Sequence, residues 1–189
     1  MSSHHIIRED QEPALLIDES SAITDRDMDE LLEWSPTVLV GDGALPELER
    51  RGTKVDVWFT ADGNAVPPQS HTLVRHAAAY WMETALDYLC QQGQRAVNIV
   101  SGNPGVHQLM RCYADRLNMV LLGNGQRIVV AKPGFSKWKA KGETIWLYGD
   151  TIATTQGLSP IGPDTYSTQQ DGFFSVVFND TYGLIGEQL

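Results

Sequence analysis

Three aspartates each follow a short apolar run: Asp18 after residues 14–17 (ALLI), Asp42 after residues 37–41 (TVLVG) and Asp62 after residues 54–60 (KVDVWFT). A fourth run, residues 96–100, leads into Ser101-Gly102-Asn103-Pro104-Gly105. If these runs are parallel strands, their carboxyl ends share one rim of a sheet. Open α/β folds bind ligands on that rim, near the point where strand order reverses. Carboxylates gathered there repel one another unless a cation or a hydrogen-bond donor compensates. Mg²⁺ is the natural cation, because it takes a few carboxylates together with phosphate oxygens. Asp18, Asp42 and Asp62 are therefore the candidate ligands of a divalent-metal site. A plainer reading stands beside it: Asp42-Gly43 and Asp62-Gly63 are also ordinary turn pairs.

The elements that must position these residues can be read from periodicity. The apolar runs suit strands buried on both faces. Between the first two, SSAITDRDMDELLEW crowds its acids at the start of a helix, with Ser20, Ser21 and Thr24 as possible caps. Met28, Leu31 and Leu32 share one face, and Pro36 ends the segment. ALPELERRG reads as a short helix stopped at Gly52. Residues 76–92 read as a helix, with a brief strand possible over 71–75, and VHQLMRCYADRLN as another before MVLLG. Strands alternating with helices at this spacing predict a three-layer α/β domain with a mostly parallel sheet over residues 1–125. The first thirteen residues are polar and do not read as a secretory signal.

After Gly125 the texture changes to short β-branched and aromatic runs separated by turns. This half, residues 126–189, is expected to be an antiparallel β-sandwich. Asp171-Gly172 in QQDGFF reads as a hairpin turn.

Composition narrows the function. A chain of 189 residues, 42% apolar, suits one domain or two small ones with a proper core. A net charge of −10 argues against nucleic acid and against an anionic membrane surface. No apolar run approaches the roughly 20 residues that span a bilayer. Cys90 and Cys112 lack metal-type spacing and read as reduced core residues of a cytoplasmic protein. His71, His76 and His107 lack the pairing of a zinc site, and no serine sits in a nucleophile elbow. Tyr80, Trp81 and Met82 read as core, with stacking on a planar ring as the alternative. Lys137, Lys139 and Lys141 alternate, so they share one face of a strand; they read as a solvated hairpin tip, or else as a contact for a phosphate or an acidic partner.

In motif order the chain resembles the thiamin pyrophosphokinase family. VGDGALPELERRG is similar to that family's Asp-Gly-Gly/Ala segment, and KVDVWFTADGN falls where the family has a strand and a Gly-Asp-X-Asp-Ser motif. ETALDYL looks like its helix and VNIVSGNPG like its strand and glycine loop. TTQGL and YSTQQDGFFSVVF are similar to its Gly-Leu strand and Ser-Thr-Ser-Asn segment. The resemblance implies an α/β domain joined to a β-sandwich, a homodimer, Mg²⁺ as cofactor and ATP as co-substrate. The implied reaction moves a pyrophosphoryl group from ATP to thiamin, chemistry that depends on charge neutralisation and positioning. It implies Asp42 and Asp62 as catalytic and metal-binding residues. Asn64, Ser101, Gly102 and Asn103 would hold the nucleotide, and Ser167 and Thr168 the acceptor.

The chain also departs from the family pattern. The two-acid motif reads Thr60-Ala61-Asp62-Gly63-Asn64, and a Thr-Asp pair falls on Tyr80-Trp81. The Arg-X-Asp-His segment falls near residues 107–110 (HQLM), and the Ser-Thr-Ser-Asn segment reads Ser167-Thr168-Gln169-Gln170. Two further readings follow. One is a catalytically lapsed ligand-binding or dimerisation module of the same fold. The other is a sibling pyrophosphokinase acting on another heterocyclic alcohol, such as a pterin.

Overall fold

The computed structural model describes residues 12–34, 36–77, 80–149 and 152–189. The expectation of a polar, frayed start to the chain lies largely outside these residues. Strands β1 (Ala14–Ile17), β2 (Val38–Gly41), β3 (Val57–Thr60), β4 (Leu73–His76), β5 (Ala96–Val100) and β6 (Asn118–Gly123) are parallel, in the order β4-β3-β2-β1-β5-β6. Successive side chains of a strand face opposite ways, and the core divides accordingly. Leu16, Leu39, Phe59 and Ile99 pack with α3 (Trp81–Gln91) and α4 (Val106–Tyr113). Leu15, Ile17, Val40 and Val100 pack with α1 (Asp25–Leu32) and α2 (Leu45–Arg50). Helices thus cover both faces. The first of them starts at a reciprocal cap, in which Thr24 accepts from the Asp27 backbone N–H and Asp27 accepts from that of Thr24. Strand order reverses at β1: β2 to β4 step away on one side, β5 and β6 on the other.

Beyond β6 the chain reverses at Asn124-Gly125, with φ of 52° and 74°, the left-handed pair that a two-residue hairpin requires. It continues through β7 (Gln126–Ala131), β8 (Ser136–Lys139), β9 (Thr144–Tyr148), β10 (Ile152–Gln156), β11 (Leu158–Gly162), β12 (Thr165–Thr168), β13 (Gly172–Phe178) and β14 (Gly183–Gln188). Strands β7, β14, β9, β12 and β11 extend the first sheet to eleven strands, while β10, β13 and β8 form a separate antiparallel sheet. Phe174 and Val176 of the small sheet share a core with Ile145, Leu147 and Ile185 of the large one. The large sheet is therefore continuous across residue 125. Among the described residues no helix is long and apolar enough to cross a membrane.

Three local expectations are corrected. Asp171-Gly172 does not close a hairpin, because β12 and β13 lie in different sheets; Asp171 instead accepts the Lys141 N–H (2.8 Å) at the crossing. Cys112 is exposed and Cys90 half-buried, so the pair is not core. Lys137 and Lys139 do share a face, but not as a solvated tip. Both turn inward onto Glu187, whose side chain is 7% exposed: Lys137 Nζ lies 2.6 Å from Oε1 and Lys139 Nζ 3.1 Å from Oε2.

That cluster joins the two sheets and has a titratable consequence. Burial pushes the Glu187 carboxyl upward, but hydrogen bonds from Lys137 and Lys139, reinforced by their charges, hold it below its ordinary value. A depressed carboxyl contributes stability that is complete above its unfolded pKa and is lost as pH falls through the folded one. Glu187→Leu is expected to cost about 2–3 kcal/mol in urea unfolding at pH 7, less than the roughly 3–5 of a fully buried broken pair because Lys137 is 38% exposed. Glu187→Gln is expected to flatten the stability loss on acidification below the ordinary carboxylate range. An unchanged acid limb would contradict the assignment.

Candidate functional site

The rim at the carboxyl ends of the parallel strands is built by short polar loops. At the reversal of strand order the Asp18 N–H donates to the Val100 carbonyl (2.9 Å). Buried Ser101 donates its hydroxyl to Asp18 Oδ2 (2.7 Å), and the Ser101 Oγ itself accepts the Asn103 N–H (3.0 Å). Asn103 Oδ1 in turn accepts the Gly105 N–H (2.8 Å) and shapes the entry to α4. At the end of β2, Asp42 is exposed and accepts the Trp58 indole N–H (2.8 Å). Beyond β3, exposed Asp62 accepts the Asn64 N–H (2.9 Å), a local turn closed on itself.

Each of the three aspartates is thus compensated by its own donor. Among the described residues no group of three or more His, Cys, Asp or Glu side chains comes together in a way that could hold a metal ion. The expected set of Asp18, Asp42 and Asp62 is not assembled as one three-carboxylate site. For Asp62 the turn reading describes what is seen.

The residue that shapes this rim is Trp81, at the first position of α3. Its indole lies against the backbone of Gly41, so closely that a Cβ on Gly41 would sit 2.5 Å from Trp81 Cε2. Phe59 supports the ring from beneath, with centroids 6.2 Å apart. Met82 is buried beside it, whereas Tyr80 is 78% exposed; the core reading of this trio holds for Met82 and in part for half-buried Trp81, which packs against the main core, but not for Tyr80. Trp81, Tyr80, Asp18, Glu83, Asn103 and Leu109 line a cleft of about 490 Å³ between the starts of α3 and α4. A cleft of that volume, walled by aromatic and apolar side chains with a few polar groups, is suited to a small organic ligand.

The electrostatics point away from a polyphosphate. Among the described residues lining the cleft none is Lys or Arg, and its charged groups are the carboxyls of Asp18 and Glu83. The residues lining this cleft do not fit a polyphosphate.

The remaining expected residues are dispersed. Asn64 is exposed on the loop beyond β3, and half-buried Gly102 lies against Glu19 and Asn124. Ser167 and Thr168 sit on β12, five strands from β5 along the same sheet. The Thr168 hydroxyl is committed to backbone, donating to the Ala140 carbonyl (2.6 Å) and accepting the Glu143 N–H (2.8 Å). Trp58 and Gly41 were not singled out from sequence. Nothing local marks them, since each matters through a partner distant in the chain.

The packing of Trp81 on Gly41 makes a testable prediction. Gly41→Ala must displace the indole and is expected to cost about 1–3 kcal/mol, the range of overpacked cores. In the Trp81→Ala background the same change should cost far less, a coupling that a double-mutant cycle by urea unfolding measures. Additive losses would show that the two positions do not touch.

No protein-family model and no curated protein matches the chain. Solved structures do. The thiamine pyrophosphokinase from Bacillus subtilis superposes with a TM-score of 0.66 at 15% identity, covering 94% of this chain and 99% of that one. The thiamin pyrophosphokinase from Geobacillus thermodenitrificans gives 0.67 at 16% identity, covering 94% and 98%. The Candida albicans enzyme gives 0.65 at 12%, covering 96% and 90%. The similarity spans both the parallel and the antiparallel halves, and by it the chain has the thiamin pyrophosphokinase fold.

Proposed function

We propose that this chain is a small-ligand-binding protein on the thiamin pyrophosphokinase fold, one that holds a planar ring on the rim without transferring a pyrophosphoryl group. The observation that carries the reading is the Trp81 indole seated on Gly41, at the place where the family resemblance puts a Thr-Asp pair. Dispersed carboxylates support it, as does the lack of Lys and Arg among the described lining residues. Losing even one charge-stabilising group commonly costs a transferase a few kcal/mol, each 1.4 being about tenfold in rate. Retained Mg²⁺- and ATP-dependent transfer to thiamin or a related heterocyclic alcohol is the second reading. It is favoured by the exposed position of Asp42, which leaves one carboxylate oxygen free of the Trp58 indole.

Residues 1–125 and 126–189 are taken as two functional units, the first carrying the Trp81 cleft and the second flanking the rim beyond the loop at residues 101–105. Homodimerisation belongs to the same proposal. The outer face of the small sheet supports it, since Phe173 (72% exposed) stands directly opposite Trp138 (54%), with Val177 nearby. Two free cysteines support a reducing, cytoplasmic setting.

The test pairs turnover with binding. With ATP, Mg²⁺ and thiamin the purified protein is expected to form no AMP. At least one planar ring compound should raise its melting temperature without Mg²⁺, since a ligand at 100 times its Kd adds about 2.7 kcal/mol to the folded state. AMP formation that disappears in Asp42→Ala would overturn the proposal in favour of the second reading.

A further inference from the structure

On the other flank of the loop at residues 101–105 lies a second cavity, of about 260 Å³, enclosed by that loop, the start of α4, the β6–β7 hairpin and Tyr148 of β9. Three of its six polar side chains are carboxamides already engaged on one side. Gln126 Oε1 accepts the Tyr148 hydroxyl (2.6 Å), and Asn103 Oδ1 accepts the Gly105 N–H (2.8 Å). Asn124 Nδ2 donates to the Gly102 carbonyl (3.3 Å). With their oxygens committed, Gln126 and Asn103 each keep an NH₂ group, a pure donor, for whatever enters.

Among the described residues lining this cavity none is Lys, Arg, Asp or Glu, and buried Leu121 and Ile128 supply an apolar surface. The imidazole of His107 stands 4.7 Å from the Tyr148 ring, centroid to centroid. Burial, and then Arg111, lowers its pKa, which favours the uncharged form. A volume just under the roughly 300–1,000 Å³ of drug-sized sites suits one or two rings.

We propose that this cavity binds an uncharged planar oxo-heterocycle of one or two rings, such as an oxopurine, with the Gln126 and Asn103 amides donating to its carbonyl and ring-nitrogen acceptors. The inference rests on the reading of the rim as a ligand site and adds to it a second position, across the loop at residues 101–105 from the Trp81 cleft. A permanently cationic ring would find no carboxylate here, and a polyphosphate no cation.

Calorimetric titration of the full chain with hypoxanthine, ATP and thiamin tests it. Two variants are diagnostic, Asn103→Asp and Gln126→Glu. Each keeps the oxygen that accepts from Gly105 or Tyr148, and so the local fold, while replacing the free donor by a carboxylate that repels a ring carbonyl. Hypoxanthine is expected to bind one to one, and each variant to weaken it about tenfold or more with the melting temperature unchanged. Equal binding by wild type and both variants would overturn the assignment. Binding of thiamin or ATP but not hypoxanthine would overturn it while leaving the rim reading standing. Failure of all three to bind would overturn the assignment, and failure of every planar ring compound tried to raise the melting temperature would overturn the rim reading as well.

Discussion

The indole of Trp81 resting on the bare backbone of Gly41 is the contact on which the character of this rim depends. It can form only because position 41 lacks a side chain and because Phe59, one strand over, supports the ring. Its effect is chemical as much as steric. A large aromatic face stands above the end of β2, the neighbouring aspartates are satisfied by Trp58, Ser101 and the Asn64 backbone, and no shared cation is required to hold them. In a rim that grips a metal–phosphate complex the reverse holds, since converging carboxylates are tolerated because the cation is there.

The two ligand-sized spaces follow from where the sheet reverses order. Asp18 and Ser101 close the gap between β1 and β5, and the loop that follows Ser101 divides the rim in two. On one side stand Trp81, Tyr80 and two carboxylates; on the other, amides and the His107 imidazole. The antiparallel extension contributes Gln126 and Tyr148 to the second space, so the β half is more than a support. Its own integrity is tied to the Glu187 cluster, which crosses from β14 to β8.

Much of this architecture was legible in the residues. The runs at β1, β2, β3 and β5 are apolar on both faces because helices cover both, so their continuous hydrophobicity announced a parallel sheet. Thr24 and its acidic first turn announced α1. What escaped was non-local. Asp171-Gly172 signals a reversal but not which sheet the next strand joins, and here it joins the other one. The alternation of Lys137 and Lys139 gave their common face but not Glu187, fifty residues on, which turns that face inward. The carboxylates were correctly placed at strand ends, yet strand ends alone do not say whether each side chain finds a private donor. That depended on Trp58 and Ser101, residues whose roles appear only when β2 and β3, or β1 and β5, are side by side.

The central claim is that the rim's carboxylates are compensated internally and do not assemble a divalent-ion site. Titration of the purified chain with Mn²⁺, followed by the electron paramagnetic resonance of the free ion, measures this directly. The account predicts a free-ion signal that rises in proportion to added metal, identical for wild type and Asp42→Asn. A saturable one-to-one site in the wild type that vanishes in Asp42→Asn would contradict it.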